Sequence, residues 1–195
     1  GFAGGLLTVL LAISFSARLD KRMENSTIIL VGMVLSLFMN AILTLLSAMS
    51  REHMQRLIFW QMGSFSLKSW PEVALLTPFV IVFGLWVFYY HKELDIMTFG
   101  EEQAMAMGVE LKKTKLLLLL MAAILTGSAI SLVGIIGFID LIAPHVVRKI
   151  FGSRHKFVIP MSALFGGAFM TLSDLIARTI VSPSEMSVGA VTAII

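Results

Sequence analysis

Runs of about 20 apolar residues recur along this chain, and that is the length a helix needs to cross a hydrocarbon core of about 30 Å. One run ends near Ala17, a second spans about Thr27 to Met49, and a third covers Val73 to Tyr90. A longer stretch extends from Leu116 to Val147, another from Phe157 to about Ala177, and the chain stops at "VGAVTAII", inside a further run. None of them shows the period-two alternation of a half-buried strand. Hydrophobic residues make up 57% of the 195 and charged residues 14%, with a mean hydropathy of +0.91. A soluble domain has roughly a quarter of its residues charged. The expected fold class is therefore all-α, a polytopic transmembrane helical bundle whose main solvent is lipid.

The cations divide unevenly among the polar connections. The loop at 18–24 carries three Lys/Arg, the loop at 91–115 four and the loop at 148–156 four. The other two carry Arg51, Arg56 and Lys68, and Arg178. Placing the first set in the cytoplasm puts eleven cationic residues inside and four outside, as the positive-inside rule prefers. Lys115 and Arg148 then face the same side, so residues 116–147 cross twice, at about 16 residues per crossing; the rival, one long tilted helix, would spoil the charge bias downstream. Such short crossings require a tight turn sunk in the bilayer, and the glycines of "SLVGIIGF" suit it. Trp60 and Trp70 suit a water–lipid boundary. The net charge of +3 resides in loops and points to membrane orientation, with no nucleic-acid partner. No linker separates domains, so residues 1–195 read as one membrane domain. A start at Gly1 without methionine and an apolar end suggest an internal piece of a longer protein.

Chemistry is sparse. The chain has no cysteine, its four histidines lack metal-site spacing, and no phosphate-binding Gly-x-x-x-x-Gly-Lys-Ser/Thr loop is present. No catalytic residue, metal ligand or cofactor site is assigned, and the chain is read as a non-enzyme. In "TFGEEQAMAMGVELKKTK", Gly100 precedes Glu101 and Glu102 in the first turn of a short helix, where acids offset the positive helix end. Ala104 and Gly108, four apart, give a small face, and Gly108 can end that helix with a second one running on through Lys115. The result is a two-helix knob for docking or an ordinary solvated connector. Asp174 and Arg178 share a helical face, as a local ion pair or with Arg178 free for an acidic partner. Asp140 and His145 could form a proton relay within the membrane. We favour Asp140 as the cap of a short helix "LIAPHVVRKI", with Pro144 in its first turn.

Five segments, in order, resemble the permease subunits of ATP-binding cassette importers for iron–siderophore complexes, haem and cobalamin (the type II importers). They are "WQMGSFSLKSW", "FGEEQAMAMGVE", "GFIDLIAPHVVRKIFGSRHKFVIP", "LSDLIARTI" and "SEMSVGAVTAII". The resemblance implies a bundle with short broken helices and cytoplasmic coupling helices, of which this chain supplies about the fourth to the tenth of about ten transmembrane helices. It implies three partners: a cytoplasmic ATPase that binds the ATP, an extracytoplasmic substrate-binding protein and a second permease subunit, identical or not. By the same resemblance Gly100, Glu101, Glu102, Ala104 and Gly108 form the ATPase-coupling loop, and Arg178 docks the binding protein. Asp140, Pro144, His145, Arg148 and Asp174 are structural or gating candidates, Pro144, His145 and Arg148 matching the family's Pro-His-x-x-Arg. Asp140 stands where the family usually has glycine. Iron–siderophore is the expected cargo, carried across the cell membrane. The alternatives are cobalamin or haem import, or a proton-coupled secondary transporter using Asp140.

Overall fold

The computed structural model describes residues 2–20, 25–49, 60–61, 63–65, 68–180 and 188–194. Lys21, Arg22, Arg51, Arg56 and the segment 181–187 therefore lie outside the described residues, together with the expectations placed on them. Among the described residues the elements are helical: α1 (Phe2–Leu19), α2 (Asn25–Met49), α3 (Trp70–Tyr89), α4 (His91–Met97), α5 (Glu101–Ala106), α6 (Leu111–Val133), α7 (Ile139–Phe151), α8 (His155–Thr179) and α9 (Val188–Ile194). Four of them, α2, α3, α6 and α8, are long and apolar enough to cross a membrane. The start of α3 shows how such a helix is set: the Ser69 N–H donates to Glu72 Oε2 at 2.7 Å, and Pro71 occupies the first turn, where its missing N–H costs nothing. Trp70 is almost wholly exposed at this end, as a boundary residue should be.

The helices form a wall and bury little against one another. α1 packs on α2 and α6, α3 on α6, and α7 and α9 on α8. No residue of α3 is buried, and Leu37, Leu46, Leu85 and Leu164 face outward. Apolar surface on this scale is unstable in water and stable in lipid or against a partner. Two ends can be distinguished. At one, the starts of α2 and α6 lie beside α5, and α4 meets the start of α8. The basic connections at 91–115 and 148–156 both belong to this end, as the charge bias requires. At the other, Phe65 and Ile136 pack on Ala177, Val188 and Val191.

Between α6 and α7 the chain turns back through Gly134–Phe138, at the place expected. The division is unequal, however: 23 residues in α6 against 13 in α7, in place of 16 and 16. α6 begins at Leu111 because Lys112, Lys113 and Lys115 enter its first turns, so no second short helix follows Gly108. At 1.5 Å per residue α7 is only about 20 Å long, and non-helical backbone makes up the rest of the return. Protein covers that backbone at Gly134, whereas Ile135, Gly137 and Phe138 are exposed. The Ser64 N–H donates to the Val133 carbonyl at 2.9 Å. Gly134, buried and at φ +79°, sits so close to the Trp60 carbonyl and the Gly63 Cα that a side chain has no room. Phe138 ends the turn at φ +69°, the one non-glycine with positive φ among the described residues.

Candidate functional site

The knob is α4 and α5, with the partner helix before α5 and not after it. The turn out of α4 closes on Asp95, whose carbonyl accepts the Thr98 N–H at 3.3 Å and the Thr98 hydroxyl at 2.7 Å. Gly100, at φ +114°, admits the chain to α5, and its carbonyl accepts the Ala104 N–H at 3.0 Å. α5 ends in a Schellman motif: the Val109 N–H reaches the Ala104 carbonyl, the Gly108 N–H reaches the Met105 carbonyl, and Gly108 takes the left-handed position at φ +87°. Gly108 thus ends the helix by its backbone freedom.

Two polar clips hold the knob. Lys115 Nζ on α6 donates to Glu101 Oε1 at 2.6 Å, with Lys115 only 6% exposed. Burying an ammonium group is costly unless it is paired and hydrogen-bonded, as it is here. On the other side, Asp95 Oδ1 accepts the backbone N–H of His155 at 2.8 Å and lies 2.7 Å from its Nδ1. Burial raises the Asp95 carboxyl, but the two hydrogen bonds from His155 and the charges of His155 and His91 outweigh it and hold the group below its ordinary value.

The sequence candidates divide by what surrounds them. Glu102 is exposed, and Glu101 faces both its lysine and a cleft of about 1160 Å³ shared with Asn25, Ser26, Met105 and Lys112. Ala104 is fully buried within the chain, so the small face it was expected to offer with Gly108 looks inward. The outward surface consists of Phe99, Met105 and Met107, each more than half exposed. Periodicity gave no signal for these three, because α5 is under two turns long. A second hollow, of about 320 Å³, opens beside Gly108 and Lys113, and Glu93 Oε2 is buried there without a hydrogen-bond partner.

Asp140 is not a cap. Phe138 occupies the N-cap position, no side chain caps the helix, and Asp140 is the second residue of α7 with its side chain exposed. Pro144 is correspondingly inside the helix, where it deprives the Asp140 carbonyl of its backbone donor. Asp140 and His145 form no hydrogen bond. α7 buries Ala143 and Val147 and turns Leu141, His145 and Arg148 outward. At the far end of α8, Arg178 Nε donates to Asp174 Oδ2 at 2.8 Å, with Arg178 45% exposed, so the two form a local ion pair. Among the described residues no three or more His, Asp or Glu side chains converge to hold a metal ion.

Four membrane-length helices, a tight reversal at Gly134 and a polar knob clipped to one end define a multi-pass membrane protein. The model of the FecCD transport family matches residues 1–195. An uncharacterised ABC transporter permease protein, YvrB of Bacillus subtilis, is 34% identical over 192 residues, covering 98% of this chain and 54% of that protein. The cobalamin import system permease protein BtuC of Halobacterium salinarum is 33% identical over 194 residues, covering all of this chain and 52% of its own. A solved structure, described as a metal-chelate type ABC transporter in an inward-facing conformation, superimposes with a TM-score of 0.89 at 28% identity, over 96% of this chain and 59% of that one. The chain belongs to the FecCD transport family of ABC permeases, multi-pass proteins of the plasma membrane. It spans about half the length of the relatives it matches.

Proposed function

We propose that this chain is a part, about helices four to ten of about ten, of a single-domain permease that takes an iron–siderophore complex from a binding protein and passes it to the cytoplasm. The observation that carries this reading is the knob. A short helix stopped by Gly108 presents Phe99, Met105 and Met107, and two clips fix it to membrane helices. Such a surface suits a groove of a cytoplasmic ATPase, which binds and hydrolyses the ATP on its own chain. The permease itself needs no cofactor and no metal ligand, since iron travels inside its chelator. Its path lies between two subunits, alike or not, and lipid covers the remaining face. The exposed Arg178 would meet an acidic group of the binding protein, with Asp174 holding it in place. His145 and Arg148 would face the path or the second subunit from α7. The description of the solved relative as metal-chelate type supports the cargo class, and cobalamin or haem is the alternative within it.

The test is Gly108→Val in the full-length protein. No atom lies within 4 Å of where a Cβ would stand, so the change strains only the backbone at φ +87° and leaves membrane insertion intact. ATP-dependent uptake should fall to background. Unaltered uptake would remove the docking role from this loop, and uptake that continues without any ATPase would favour a proton-coupled transporter centred on Asp140.

A further inference from the structure

The start of α8 has an electrostatic deficit that the rest of the chain corrects. Arg154, His155 and Lys156 gather at the positive end of the helix, and its first turn contains no acid. The missing carboxylate comes from 60 residues away, where Asp95 Oδ1 receives the first helical N–H and the ring of the same residue. The carbonyl of Asp95 also pins the turn that leads to α5. One residue therefore holds α8 with its side chain and the knob with its backbone. From this clip α8 runs unbroken to Thr179, carrying Asp174 and Arg178 on its last turns, with Ala177 buried in the apolar cluster at that end. The helix thus joins the surface assigned above to the ATPase to the surface assigned to the binding protein. Pro160 removes one backbone hydrogen bond near the clip, which makes the first turns of α8 the place where the helix yields.

We propose that the Asp95–His155 contact is the joint through which α8 passes the state of the outer docking surface to the knob. It is a positioning contact, distinct from the residues that touch either partner, and it rests on the transport reading given above. A joint of this kind should set how strongly the binding protein stimulates ATP hydrolysis relative to the basal rate.

The experiment uses the full-length permease assembled with its ATPase and binding protein in lipid nanodiscs, and measures hydrolysis with and without the binding protein. Asp95→Ala should lower the ratio of stimulated to basal hydrolysis by about fivefold or more, the size of an ordinary coupling between sites. Asp95→Asn, which keeps an oxygen acceptor for the His155 N–H, should lie between the two. His155→Ala retains the backbone bond and should assemble even if Asp95→Ala does not, again with a reduced ratio. An unchanged ratio in His155→Ala and in whichever Asp95 variant assembles would overturn the joint. Basal and stimulated rates that fall in equal proportion would also overturn it, since that marks lost assembly only. A wild-type complex with no stimulated hydrolysis would sink the transport reading, and the joint with it.

Discussion

The two ends of this bundle are built by different means. At the knob end, polar side chains do the fastening: Glu101 to Lys115, 14 residues apart, and Asp95 to His155, 60 apart. At the opposite end the fastening is steric. Gly63 and Gly134 bring two stretches of backbone into contact, and Phe65, Ile136, Ala177, Val188 and Val191 close over the gap. A charge pair tolerates displacement, because Coulomb attraction falls slowly with distance, whereas close-packed backbone does not. The difference makes the knob end the more tolerant of displacement.

The comparison can be broken most sharply at Gly134. Gly134→Val places a branched side chain against the Trp60 carbonyl at φ +79°, and the loss in stability should be about 3 kcal/mol or more. Thermal unfolding of the full-length protein in detergent measures it, and a loss below that of any knob variant would reverse the contrast. Next comes Lys115→Ala, which strands Glu101. Because Glu101 is 34% exposed, the cost should be about 2 kcal/mol, below the 3–5 kcal/mol of a fully buried pair. Lys115→Met should recover part of it by packing.

The Asp95 clip sharpens the comparison through pH. Its carboxyl is held below the ordinary value of 3.8, so the charged form is favoured by folding. The stabilisation is complete above that value and disappears as the pH falls through the lowered one. The gap in unfolding temperature between wild type and Asp95→Ala should accordingly be open just above the ordinary carboxylate range and close below it. A gap untouched by acid would mean that the charge contributes nothing. The smallest effect belongs to Arg178→Glu: less than about 1 kcal/mol of stability, since exposed pairs are weak, with a selective loss of binding-protein affinity in a pull-down. Undiminished affinity would leave Arg178 with only its ion pair to Asp174.

Much of this was legible in sequence, for reasons that are local. Apolar runs mark α2, α3 and α8 to within a few residues, since hydropathy and length suffice in lipid. Gly108 announces the end of α5 because the left-handed position of a Schellman motif favours glycine. The start of α6 was hidden, as three lysines read as loop until Glu101 is found to neutralise one of them. The unequal split between α6 and α7 was hidden as well, because it depends on Gly63 and Trp60, some 70 residues upstream of the turn. The role of Asp140 failed for a related reason. The helix starts two residues earlier than its polar side chain suggests, at Ile139 with Phe138 in the cap position. Asp95 carried no motif at all, its partner being 60 residues away.

Phe138 gives the reversal a direction. An aromatic residue held at φ +69° sits about 1–2 kcal/mol above its relaxed backbone, because its Cβ crowds the following carbonyl. Any other arrangement of the segment that returns this residue to ordinary φ recovers that energy, which amounts to about a tenfold change in an equilibrium. The joint between α6 and α7 is consequently a loaded spring more than a passive bend, and it is held cocked by the backbone pressed against Gly134.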